Sequence, residues 1–121
     1  FVEAFVKAAH KADPSDLQTL LAQDVAYLSD GGGKVLATLN PLYGLDKVSR
    51  FFAGIARKVA SLGKSTTVYK PVLINGMPGY LSLERGDTLQ ATALDIRDGR
   101  VHAIYIVRNP DKLRHITLAA D

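Results

Sequence analysis

The sequence predicts an α+β domain in which about three helices pack on one face of a curved, mostly antiparallel sheet. Two observations carry that prediction. Up to Leu62, most apolar residues recur at steps of three and four, as on amphipathic helices. From Ser65 onward the period drops towards two, and the turn signals Asn75-Gly76, Arg85-Gly86-Asp87 and Asp98-Gly99 break the pattern into strands. Helices followed by a run of strands favour helices segregated on one face of an antiparallel sheet.

The chain has 121 residues, 47% hydrophobic and 22% charged, an ordinary globular balance with enough mass for one core. A single domain spanning residues 1–121 follows. Its net charge of +3 is scattered rather than gathered, and only four Phe and five Tyr are available for stacking on bases. Direct nucleic-acid binding by this segment is therefore not expected. There is no cysteine, and the three histidines lack metal-ligand spacing, so no metal or other cofactor is expected. The apolar runs are far shorter than a membrane span, which favours a cytoplasmic protein. The chain begins at Phe1, already inside a helical pattern and without an initiator Met, as expected for a segment of a longer chain.

Taken in order, Phe1, Val2, Phe5, Val6 and Ala9 form the apolar stripe of a first helix. Asp13-Pro14-Ser15-Asp16 then reads as a helix start, with Asp13 as N-cap and Pro14 first in the helix. Leu17, Leu20 and Leu21 would be its buried stripe, ending at Asp24. A strand from Val25 to Ser29 would pair through a glycine turn with Lys34–Thr38, and Asn40–Gly44 reads as a loop. Asp46 would cap the longest helix, with Val48, Phe51, Phe52, Ile55, Val59 and Leu62 inward and Gly63 as its stop. Strands follow at Thr66–Ile74, Tyr80–Leu83, Leu89–Arg97 and Arg100–Arg108, and then a short terminal helix capped at Asn109-Pro110-Asp111.

Two places could carry chemistry or contact. Asp30-Gly31-Gly32-Gly33-Lys34 holds three consecutive glycines, more than a turn needs, and each is costly to order. It is either a loose hairpin tip or a backbone that something approaches closely. Pairing the Asp98-Gly99 hairpin residue by residue sets Asp95 opposite His102. A carboxylate beside an imidazole could orient a general base, or form an ordinary cross-strand ion pair. Tyr27, Tyr43, Tyr69, Tyr80 and Tyr105 could line a cavity with hydroxyls or serve as packing.

The order of elements is shared by the cone-shaped folds of the nuclear transport factor 2 and SnoaL type. The pair Asp30–Lys34 and Asn109-Pro110-Asp111-Lys112-Leu113 is more specific. With Gly44–Phe51, Asn75–Gly79 and Ile104–Arg108, it resembles extracytoplasmic-function sigma factors that carry a fused C-terminal SnoaL-like domain. That resemblance implies a regulatory domain acting in cis on the sigma core and, through it, on RNA polymerase. Promoter DNA would then be contacted only by sigma domains preceding Phe1. It also implies that Asp30, Gly31, Gly32, Gly33 and Lys34 lie against the sigma core, with Asn109, Pro110, Asp111, Lys112 and Leu113 near that contact.

Two further expectations follow from the fold resemblance. The cone could hold a small apolar ligand, with Tyr27, Tyr43, Asp95, His102 and Tyr105 as its lining or rim. Alternatively, the domain resembles ketosteroid isomerases and polyketide cyclases, and Asp30 would then be the catalytic base. Many folds of this kind dimerise through the outer sheet face, so the sequence leaves both a monomer and a homodimer open.

Overall fold

A computed structural model describes residues 1–30, 41–63, 67–74, 76–84, 88–107 and 117–118. Helix α1 (Val2–Ala9) buries Phe5, Ala8 and Ala9, the face set by its three- and four-residue spacing. Phe1 precedes the helix and is exposed, rather than joining its stripe. The second helix is a single turn, α2 (Ser15–Gln18), shorter than its leucine pattern suggested. Pro14 rather than Asp13 is its N-cap. Asp13 instead accepts from the Ser15 backbone N–H at 2.9 Å and the Ser15 hydroxyl at 2.6 Å, an Asx turn that leads into the helix.

Strand β1 (Leu21–Asp30) begins four residues earlier than the sequence pattern predicted. Leu21 is buried there as a strand residue, so tertiary pairing with Val101 overrides its helical spacing from Leu17. Leu42–Tyr43, expected as loop, forms the short strand β2 on the edge of β1, with Ala26 opposite Tyr43 and Tyr27 opposite Leu42. The predicted return arm Lys34–Thr38 lies outside the described residues.

Helix α3 (Leu45–Ser61) is capped by Gly44 at φ 100°, a conformation open mainly to glycine, and not by Asp46. Asp46 sits in the first turn and pairs with Arg50 at 3.0 Å. Gly63 (φ 67°) follows the C-cap Leu62 in the left-handed conformation expected of a helix stop. Of the predicted stripe, Val48 is fully buried, and Phe51 and Phe52 pack on the core, while Leu62 is exposed.

Strands β3 (Thr67–Ile74), β4 (Met77–Glu84), β5 (Thr88–Arg97), β6 (Arg100–Val107) and β7 (Thr117–Leu118) complete a sheet of order β2-β1-β6-β5-β4-β3-β7. β4 starts at Met77, so Met77-Pro78-Gly79 is strand rather than turn, and Gly76 (φ 80°) lies in the connection. Pro71 sits where the β3–β4 register shifts, the position a sheet allows a residue without an N–H. All pairings are antiparallel except β1 with β6.

The helices cover one face of this sheet. There Phe5, Leu17, Leu21, Val25, Tyr27, Val48, Tyr80, Leu94, Val101, Ile104 and Ile106 form the main core. Phe5 meets Phe52 edge-on at 6.1 Å and Tyr80 at 6.2 Å, and Tyr27 meets Phe51 at 4.9 Å. Each such buried aromatic contributes about 1.5–3 kcal/mol by burial alone. A smaller cluster, Val72, Ile74, Ala91 and Ala93, forms on the opposite face of the sheet. No described helix is long and apolar enough to cross a membrane.

Candidate functional site

The Asp98-Gly99 hairpin forms as predicted, with both residues at positive φ (51° and 75°) as a two-residue turn requires. Its register differs from simple residue-by-residue pairing. Arg97 faces Arg100 and Ile96 faces Val101, but Asp95 faces Ala103. His102 is the extra residue of a β-bulge, which reverses the facing of everything beyond it. Ala91 and Ala93 therefore share a face with Tyr105 and Val107, while Ile104 and Ile106 turn to the helix side.

The bulge separates the expected Asp95–His102 pair. Asp95 is instead gripped by Arg97, with Nη2 at 2.8 Å and Nε at 3.4 Å. This hydrogen bond holds the Asp95 carboxyl below the usual carboxylate range and raises Arg97 further; His102 adds only a lesser charge effect. His102 Nδ1 lies 4.0 Å from the exposed carboxylate of Asp24. The result is a solvent-accessible rim cluster near the hairpin end of β5 and β6.

The tyrosines do not share one surface. Tyr27 and Tyr80 are buried in the core, Tyr43 is 62% exposed, and Tyr105 packs on the smaller cluster. The Tyr69 side chain lies outside the described part. Among the described residues a groove lies elsewhere, between α1 and the β3–β4 pair. It measures about 430 Å³ and is lined by Val2, Val6, Val68, Pro71 and Tyr80, with Glu3 and Lys7 also on its α1 side. Of the tyrosines offered as cavity lining, Tyr80 borders it, whereas Tyr27, Tyr43, Asp95, His102 and Tyr105, expected at a pocket or rim, do not. The sequence signal for it was present in the α1 stripe and the misfit Pro71, but neither announces a cavity.

The helix face of the sheet also carries polar residues. Ser82, Thr92 and Gln90 are buried, and the Gln90 amide donates to Thr92 Oγ1 at 3.3 Å. The hydroxyls of Ser82 and Ser29 are buried without a hydrogen-bond partner among the described residues. No group of three or more metal-ligating side chains gathers among the described residues.

Gly31, Gly32, Gly33, Lys34 and the whole of Asn109–Leu113 lie outside the described residues, as does the side chain of Asp30. Their points of departure do not. In the parallel β1–β6 pairing, Leu28 faces Tyr105, Ser29 faces Ile106 and Asp30 faces Val107. Parallel neighbours end at the same sheet edge, so the glycine run and the segment after Val107 set out from adjacent strand ends, about 5 Å apart. Lys34 and Asn109, the facing ends of the two motifs, are 75 positions apart in sequence. Parallel pairing brings their points of departure together.

No family model matches the chain. The sigma factor SigJ of Mycobacterium tuberculosis, an ECF RNA polymerase sigma factor, is 30% identical over 121 residues, covering 92% of this chain and 37% of that protein. The crystal structure of SigJ superposes with a TM-score of 0.69 at 29% identity, over 93% of this chain and 42% of that one. The chain is thus similar to one part of SigJ over nearly its whole length, and its fold is that of the SnoaL-like and nuclear transport factor 2-like proteins. It spans well under half the length of that relative.

The fold of this SnoaL-like domain recurs at lower identity. A SnoaL-like protein of Burkholderia thailandensis matches with a TM-score of 0.66 at 13% identity, over 88% of each chain. A ketosteroid isomerase-like protein of Kribbella flavida matches with a TM-score of 0.62 at 17% identity, over 88% of this chain and 73% of that one. At such identities the likeness establishes the fold alone.

Proposed function

We propose that this domain regulates an extracytoplasmic-function sigma factor in cis, docking on the sigma core through Asp30–Lys34 and Asn109–Leu113. The adjacency of Asp30 and Val107 carries this reading, because it lets two motifs distant in sequence serve one surface. Glycines leave backbone amides and carbonyls accessible to a partner, and Asp30, Lys34, Asp111 and Lys112 supply charges of both signs for register and specificity. The domain acts in the cytoplasm, within the same chain as the sigma core. Its influence on RNA polymerase and promoter DNA passes through that core.

The test is transcription in vitro from the cognate promoter, using RNA polymerase and the full-length sigma factor with Gly32→Val and Lys34→Glu. Output several-fold away from the unmodified factor, at unchanged folding, is the expected result. Unchanged output with a normally folded protein would overturn the proposal.

A second reading rests on the α1–β3 groove, whose volume lies in the range of small-ligand sites. A small apolar molecule bound there would shift docking only as far as it binds the docked and released states differently. Transcription titrated with candidate apolar ligands separates this reading from simple docking.

A further inference from the structure

Helix α3 turns a regular surface outward. At about 100° per residue, Lys47 and Lys58 fall on nearly one line, and Arg50 and Arg57 on a second line roughly 60–100° away. All four are exposed. Between the two rows run Gly54 and Ser61, seven residues apart, so the outer face is a shallow trough with a small-residue floor and cationic walls.

The floor is kept low by its own chemistry. The Ser61 hydroxyl folds back to donate to the Lys58 carbonyl at 2.8 Å and does not project. Gly54 lies mid-helix, where glycine is disfavoured more than any residue but proline. A Cβ built on it meets nothing within 4 Å, so packing among the described residues gives no reason for glycine there. The Arg wall is pinned in place. Arg50 is held by Asp46 at 3.0 Å, and Arg57 donates to the Ala12 carbonyl at 3.0 Å. Lys47 and Lys58 make no ion pair among the described residues.

We infer that the outward trough of α3 is a docking surface for an acidic α-helix of a protein partner, seated over Gly54 and Ser61 with carboxylates reaching both cationic rows. A small-residue floor lets two helix axes approach within or below the usual 8–10 Å spacing. Two rows of cations call for anions on both flanks of the incoming rod, which an amphipathic helix with Asp or Glu beside an Ala stripe supplies. A phosphate backbone would use the cations but has no need of a glycine. This surface shares no residue with the proposed glycine-motif dock, so either can fail without the other.

The experiment measures fluorescence anisotropy with two probes, at low and at raised salt. One is a stapled helical peptide with an Ala stripe flanked by Glu rows, and the other is a duplex DNA of arbitrary sequence. The peptide is expected to bind saturably, and more weakly as salt rises. Gly54→Gln preserves the charge and favours the helix, so it should weaken the peptide by about tenfold while the thermal midpoint holds or rises. The exposed double variant Lys47→Glu/Lys58→Glu should remove binding, without depending on how the Gly54 variant folds. Absence of saturable peptide binding overturns the inference. So does binding indifferent to Gly54→Gln, or DNA binding tighter than peptide binding, which would mark a general polyanion surface.

Discussion

Asp30 and Val107 are direct neighbours across the parallel seam between β1 and β6, although 77 positions separate them in the chain. That pairing starts the two proposed docking motifs from neighbouring strand ends, and if both serve one dock their effects on function are interdependent. Lys34→Ala and Asp111→Ala, each introduced into the full-length sigma factor, should therefore alter transcription non-additively. A double-mutant cycle on promoter output should show a coupling of about 1 kcal/mol or more, roughly fivefold away from the product of the single effects. Effects that simply multiply would show two separate contacts and count against a shared dock.

Among the described glycines, Gly79 has the least room for a side chain. A Cβ there would lie 2.1 Å from the Thr92 carbonyl oxygen, 2.8 Å from Ile74 Cδ1 and 3.1 Å from the Ala93 Cα. Two of those atoms are backbone of the next strand, so the side chain cannot be accommodated by a rotamer change. Gly79→Ala should cost about 1–3 kcal/mol or more, read as a lower urea midpoint at an unchanged slope. A midpoint equal to that of the unmodified protein would show that β4 and β5 separate more easily than their register implies.

The aromatic centre gives a graded comparison. Phe5 is fully buried against Phe52 and Tyr80, whereas Phe1, four residues earlier on the same apolar pattern, is 46% exposed. Phe5→Ala should destabilise by about 3–5 kcal/mol, while Phe1→Ala should stay within about 0.5 kcal/mol. Comparable losses at both sites would mean that Phe1 packs in solution.

These comparisons show where the sequence was legible. The hairpin at Asp98-Gly99, the α3 stripe through Val48, Phe51 and Phe52, and the stop at Gly63 could be read because each is a local rule with a local cause. The strand role of Leu21 could not, since its spacing from Leu17 suits a helix and only its partner Val101 decides otherwise. The His102 bulge was equally hidden. One extra residue in a ladder carries no compositional mark, yet it moved Asp95 away from the imidazole and onto Arg97. The motif pair was visible as sequence, but the adjacency of its two starting points rests on a parallel pairing that no local pattern encodes.

Titration of Asp95 tests the rim geometry. With Arg97 hydrogen-bonded to it, the Asp95 carboxyl should titrate below the ordinary carboxylate range, and Arg97→Gln should return it towards that range. Its folded-state pKa is depressed, so the stabilisation is present above the unfolded-state value and is lost as the pH falls through the folded-state value. Because Arg97 is exposed and Asp95 partly so, the change in stability should be small and should shrink with salt. Carboxyl NMR titration of both proteins reads it directly, and identical curves would mean that the Arg97 contact is not kept in solution.

Two buried serines should respond oppositely to loss of the hydroxyl. Ser49 accepts from the Gln18 amide at 3.1 Å and donates to the Asp46 carbonyl at 3.2 Å, tying α2 to the first turn of α3. Ser49→Ala should cost about 1 kcal/mol, because the Gln18 amide loses its partner. Ser82 is equally buried, but its hydroxyl has no partner among the described residues. Removing a desolvated, unpaired group of this kind is neutral or favourable, so Ser82→Ala should leave the thermal midpoint unchanged or raise it. A clear loss of stability in Ser82→Ala would instead reveal a bound water or ligand satisfying that hydroxyl on the inner face of the sheet. The groove reading would then gain a polar anchor two residues along β4 from Tyr80.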